Sequence, residues 1–183
     1  WSAFVVSAGG FLALGAWWWG TATALVIAGV VAFHEAGHWL AMRLAGFRDV
    51  QVFFVPGMGG ATSGEKHDAN PLTHLAVYLA GPLPGLLLAV ATLAWLAFSG
   101  ADPAHAWYPP VAMGALAALL INFLNLLPVM PLDGGRIVDL FLLSRVPWLR
   151  FVFALASDAL LIATGLATGD GVTLGLGAIF LFA

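Results

Sequence analysis

Long apolar runs, broken by proline, glycine and charge, divide the chain into about six stretches: Ala3 to Trp19, Thr21 to Leu44, Pro71 to Phe98, Val111 to Leu127, Pro147 to Ala167 and the shorter Gly171 to Phe182. A hydrocarbon core about 30 Å thick takes about 20 apolar residues per helix, so these stretches predict membrane-spanning helices. One connection breaks the pattern. Asp49 to Val55 (DVQVFFV) is strand-like, and Pro56, Gly57, Gly59 and Gly60 follow it. This segment is too apolar for an ordinary solvent loop, which suggests that it re-enters the membrane, where non-helical backbone must be buried in protein or line a water-filled cavity. The competing reading is an interfacial hairpin with no role in binding. The expected fold is an all-α polytopic membrane protein of about six transmembrane helices, with a short membrane-associated β-strand or hairpin between the second and third.

Composition removes the soluble classes. The 183 residues are 62% hydrophobic and only 8% charged, with a mean hydropathy of +0.99, where a soluble domain carries about 25% charged residues. The chain reads as one membrane-embedded domain over 1–183, with the lipid bilayer as a partner. A net charge of −3 excludes nucleic-acid binding through a basic surface. With no cysteine, a metal would have to be held by histidine and acid side chains. Lys and Arg gather in two connections, Arg43, Arg48 and Lys66 in one and Arg136, Arg145 and Arg150 in the other, which should both be cytoplasmic. Ser99 to Pro110 has neither, and Trp17, Trp18 and Trp19 resemble an interfacial belt on the same far side. Both termini are then expected in the cytoplasm, with the plasma membrane the expected location. The start, Trp1 to Gly20, lacks the basic residues of a signal peptide, and without an initiator Met the ends are expected to be trimmed.

The second stretch carries the chemistry. Ala32-Phe33-His34-Glu35-Ala36-Gly37-His38 contains HExxH, in which two His four apart share a helix face and can grip one metal ion while Glu35 is free to act on water. An ionisable side chain within a span costs on the order of 2.5 to 3.5 kcal/mol on insertion scales, and three in five residues imply a partner. The alternative is polar residues bonded to neighbouring helices. A catalytic zinc takes three protein ligands, so a third is needed. The only other glutamate, Glu65, lies in a polar loop, which argues against the soluble pattern where a downstream helical Glu or His completes the site. Asp133 is better placed, because Asn125-Leu-Leu-Pro128-Val-Met-Pro131-Leu132-Asp133-Gly134-Gly135 closes the fourth stretch on the same side as the two His. Its competing role is to N-cap a helix running to about Ser144.

The HEAGH motif, Asn125 to Pro128 leading to Leu132-Asp133-Gly134-Gly135, and Ala80-Gly81-Pro82 together resemble the site-2 protease family of intramembrane zinc metalloproteases. The likeness covers the second to fourth stretches, a catalytic core of about 21–135. It implies one zinc ion per chain held by His34, His38 and Asp133, with Glu35 as general base and later proton donor. Asn125 would help hold the substrate or the tetrahedral intermediate. Where the family commonly has Asn three residues after the Pro of Ala-Gly-Pro, this chain has Gly85. No stretch reads as a PDZ or CBS domain.

The implied activity is hydrolysis of peptide bonds in transmembrane segments of membrane-protein substrates, as in regulated intramembrane proteolysis. A substrate helix hides its peptide bonds and must unwind first, and Val50 to Val55 could capture the unwound segment by strand addition. A zinc-binding membrane transporter would need further acids and His on adjacent helices, and only Asp158 comes close. A catalytically silent binder is disfavoured by Glu35 beside both His, and a different membrane-embedded HExxH protease would need a third ligand other than Asp133. Asn122 is expected in a helix–helix hydrogen bond and Asp158 in a structural or gating role. His67, His74 and His105 are expected at the interface or in solvent, and the Gly81/Gly85 and Gly165/Gly169 pairs in simple packing.

Overall fold

The computed structural model describes residues 2–55, 59–66, 69–169, 171, 173–175 and 178. Two units divide the chain, Trp1–Asn125 and Leu126–Ala183. In the first, helices α1 (Ser2–Trp19) and α2 (Thr21–Leu44) are joined at Gly20, whose φ of 83° is open to glycine at no steric cost. Helix α2 ends in a Schellman turn. Gly46 takes φ 81°, its N–H donates to the Arg43 carbonyl at 3.1 Å, and the Phe47 N–H donates to the Met42 carbonyl at 2.9 Å. Phe47 and Met42 then pack together with Val77 as a small core. The Lys66 ammonium donates to the Ala45 carbonyl, a cation where the helix dipole is negative.

The expected strand is β1 (Arg48–Val55), paired antiparallel with β2 (Gly59–Glu65). Its register slips between Arg48 and Gln51, where Asp49 takes a positive φ of 49°. The glycine-rich β2 has little strand propensity of its own, so pairing with β1 and packing on α2 define it. Phe54 of β1 is buried with Phe11 and Val31, and its ring meets Phe4 and Phe11 of α1. The Phe54 N–H donates to Ser7 Oγ at 3.0 Å, so that amide points to α1 rather than into the ladder.

Pro71 to Phe98 is one apolar stretch bent at Gly81 into α3 (Pro71–Ala80) and α4 (Pro82–Phe98). Pro82 and Pro84 have no N–H, so the Tyr78 and Ala80 carbonyls lose their helical donors there. At this bend α2 comes closest, and a methyl on Gly37 would overlap the Ala80 carbonyl oxygen. Helix α5 (Tyr108–Asn125) completes the first unit, packed on α4 and α2.

The second unit holds α6 (Asp133–Val138), a π-helical turn (Asp139–Leu143) and α7 (Pro147–Thr168). Asp133 is the first residue of α6, and Leu132 occupies the N-cap position with no side-chain cap hydrogen bond, so the capping role considered for Asp133 is not seen. The Met130 N–H donates to Ser157 Oγ at 3.2 Å, Asp158 is buried beside it, and Arg150 pairs with Asp139 at 2.9 Å.

Among the described residues four helical stretches are long and apolar enough to cross a membrane: Thr21–Leu44, Pro71–Phe98, Tyr108–Asn125 and Pro147–Thr168. About six were expected. Ala3–Trp19 is apolar and helical but shorter, and most of Gly171 to Phe182 lies outside the described residues. His67 also lies outside them. Outward-facing Leu, Phe, Trp and Val along these helices mark an integral membrane protein.

Candidate metal centre

Helical spacing sets His34 and His38 one turn apart on α2, and both are buried with Glu35, at 4%, 6% and 4% exposure. Each imidazole is held by its Nδ1. His34 Nδ1 lies 2.8 Å from Asn122 Oδ1 of α5, and Asn122 Nδ2 in turn donates to the Ala118 carbonyl at 2.7 Å. That second bond orients the amide, so its oxygen faces the imidazole. His38 Nδ1 lies 2.8 Å from the Val77 carbonyl oxygen, one turn before the α3–α4 bend. Both partners accept, so both Nδ1 atoms donate, which leaves Nε2 as the ligating atom of each neutral ring.

Those two Nε2 atoms stand 3.0 Å apart. At that separation one ion can be shared by the two nitrogens. The orientation by outer hydrogen bonds is the one metal-ligating histidines adopt, so the residues fit a metal. The imidazoles of His34 and His38 are donors suited to zinc.

Small residues make the room. A methyl on Gly81 would overlap the His38 ring, and one on Gly85 would overlap the Asn122 amide. The space at Gly85 is therefore filled by an amide from α5. Asn122, expected in a helix–helix hydrogen bond, makes one, and its partner is a candidate ligand. Nothing local in the sequence marks that link, because the two residues are 88 positions apart. Asn125 ends α5, with Nδ2 donating to the Ile121 carbonyl at 3.0 Å. His74 stacks on Tyr78, and His105 on Trp107. Glu35 receives a hydrogen bond from Thr62 of β2, a residue the sequence did not single out.

Residues 22–105 and 99–159 match the model of peptidase family M50. The chain is 33% identical over 120 residues to stage IV sporulation protein FB of Bacillus subtilis, covering 65% of this chain and 40% of that one. It is 28% identical over 120 residues to a zinc metalloprotease of Methanocaldococcus jannaschii, covering 66% of this chain and 34% of that one. The chain thus spans less than half the length of these relatives. The fold is that of the site-2 protease from Methanocaldococcus jannaschii, with a TM-score of 0.69 at 20% identity over 99% of this chain and 85% of that one. The chain belongs to peptidase family M50, the site-2 protease family.

Proposed function

We propose that the chain is an intramembrane zinc metalloprotease that hydrolyses peptide bonds in transmembrane segments of membrane proteins, with a catalytic core of about 21–135. The observation that carries this reading is the buried pair of Nε2 atoms 3.0 Å apart, with Glu35 beside them in a helix long enough to span the bilayer. His34 and His38 are two ligands of one zinc ion and Asp133 is the third. When bound, zinc supplies Lewis acidity, which acidifies water and polarises the scissile carbonyl.

Glu35 takes the proton from the attacking water and later gives it to the leaving amine nitrogen. Asn122 and the Val77 carbonyl hold the two imidazoles in the ligating tautomer throughout. Asn125 holds the substrate. The unwound substrate pairs with β2 rather than β1. Ser7 already takes the outward N–H of Phe54, and Gly60, the partner of Phe54, presents its backbone on the opposite edge. The site opens toward the cytoplasmic face of the plasma membrane, with both termini on that side, in keeping with the basic connections.

The test uses purified protein in lipid nanodiscs with a transmembrane peptide. Glu35→Gln is expected to keep one zinc per chain and lose cleavage by about 100-fold or more. His34→Ala and Asp133→Asn should each lose zinc. Cleavage that survives Glu35→Gln, or zinc that crosses liposomes through the unaltered protein, would overturn the reading, the latter in favour of a transporter.

A further inference from the structure

Strand β2 lies against α2 with alternate residues on one face, as the period of a strand dictates. Gly60, Thr62 and Gly64 form that face. A methyl on Gly60 would overlap the Glu35 side chain, and one on Gly64 would press on Met42 of the same helix. The two glycines let the strand approach the helix, and the residue between them carries the one polar side chain of the three. Thr62 Oγ1 donates to Glu35 Oε2 at 2.6 Å and lies 3.4 Å from the Glu35 main-chain oxygen. Bonds of this length from a hydroxyl to a carboxylate are among the stronger ones.

We infer that Thr62 is a positioning residue for the reaction: its hydroxyl anchors Glu35 Oε2 and leaves Oε1 as the oxygen that handles the proton. The inference rests on Glu35 being the general base. Oε1 is the carboxylate oxygen that a side chain at position 60 would crowd, so glycine there keeps its approach open. The strand proposed to receive substrate is then the strand that aims the base.

The chain has an unusual advantage for the test, since Glu35 and Glu65 are its only glutamates. Protein labelled with carboxyl-13C glutamate on a Glu65→Gln background carries one labelled side-chain carboxylate, and isotope-edited infrared spectra read its hydrogen bonding with or without zinc. Thr62→Val is expected to shift that band and to lower kcat about 10- to 100-fold with KM changed less than about twofold. Thr62→Ser should restore both, and zinc content should stay at one per chain in all three. If Thr62→Val does not fold, Thr62→Ala reads the same two quantities. A band unmoved by loss of the hydroxyl overturns the contact, and a shifted band with kcat unchanged overturns the positioning role. Cleavage surviving Glu35→Gln overturns the reading beneath it, and is told apart because the Thr62 band shift would persist.

Discussion

Asn122 touches the candidate metal site through its amide oxygen, and that atom decides which nitrogen of His34 carries the proton. With the side chain cut to alanine, the His34 Nδ1–H loses its buried acceptor and the ring is free to turn or to change tautomer. Outer hydrogen-bond partners of metal-binding histidines contribute about 10- to 100-fold to affinity. Asn122→Ala is therefore expected to weaken zinc binding by about that factor, measured by competition with a chelating dye. Asn122→Asp, which still offers an oxygen, should bind within a few-fold of the parent. Equal affinity in the alanine variant would separate Asn122 from the site.

The hairpin is where element-scale geometry makes a choice that residue types do not. Adjacent strands lie about 4.8 Å apart, and a disulfide needs Cα atoms within about 7 Å, so crosslinking can tell the neighbouring strand from the next one. A substrate peptide with a cysteine near its scissile bond is expected to crosslink to Ser63→Cys on β2 and not to its cross-strand partner, Gln51→Cys on β1. The reverse pattern would move the receiving edge to β1. Sequence reading had favoured β1, because a run of Val and Phe residues is a local signal. It passed over β2 because Gly-Gly-Ala-Thr-Ser-Gly becomes a strand only through its partners. The same line divides the rest. The spacing of HExxH, the apolar lengths of the helices and the bend at Gly81-Pro82 are written in neighbouring residues, and the sequence alone showed the first two. Links such as Asn122 to His34 and Thr62 to Glu35 join positions far apart in the chain, and no periodicity announces them.

For the whole molecule, the bilayer is the solvent, and the two basic connections predict its orientation. The absence of cysteine lets that orientation be tested with single introduced thiols. Ala104→Cys should react with a membrane-impermeant maleimide added outside intact cells, whereas Arg145→Cys should react only after the membrane is opened. The opposite result would invert the protein. Lipid also changes what a mutation costs. Leu87, Leu120 and Phe123 are more than half exposed on their helices, at 69%, 58% and 56%, so shortening them exchanges protein–lipid contact for more of the same lipid. At Gly37 and Gly81, by contrast, one added methyl meets backbone or a histidine ring. Tolerance to substitution thus runs opposite to that of a water-soluble protein: removing bulk is mild over much of the surface, and adding the smallest possible group is severe at the crossing.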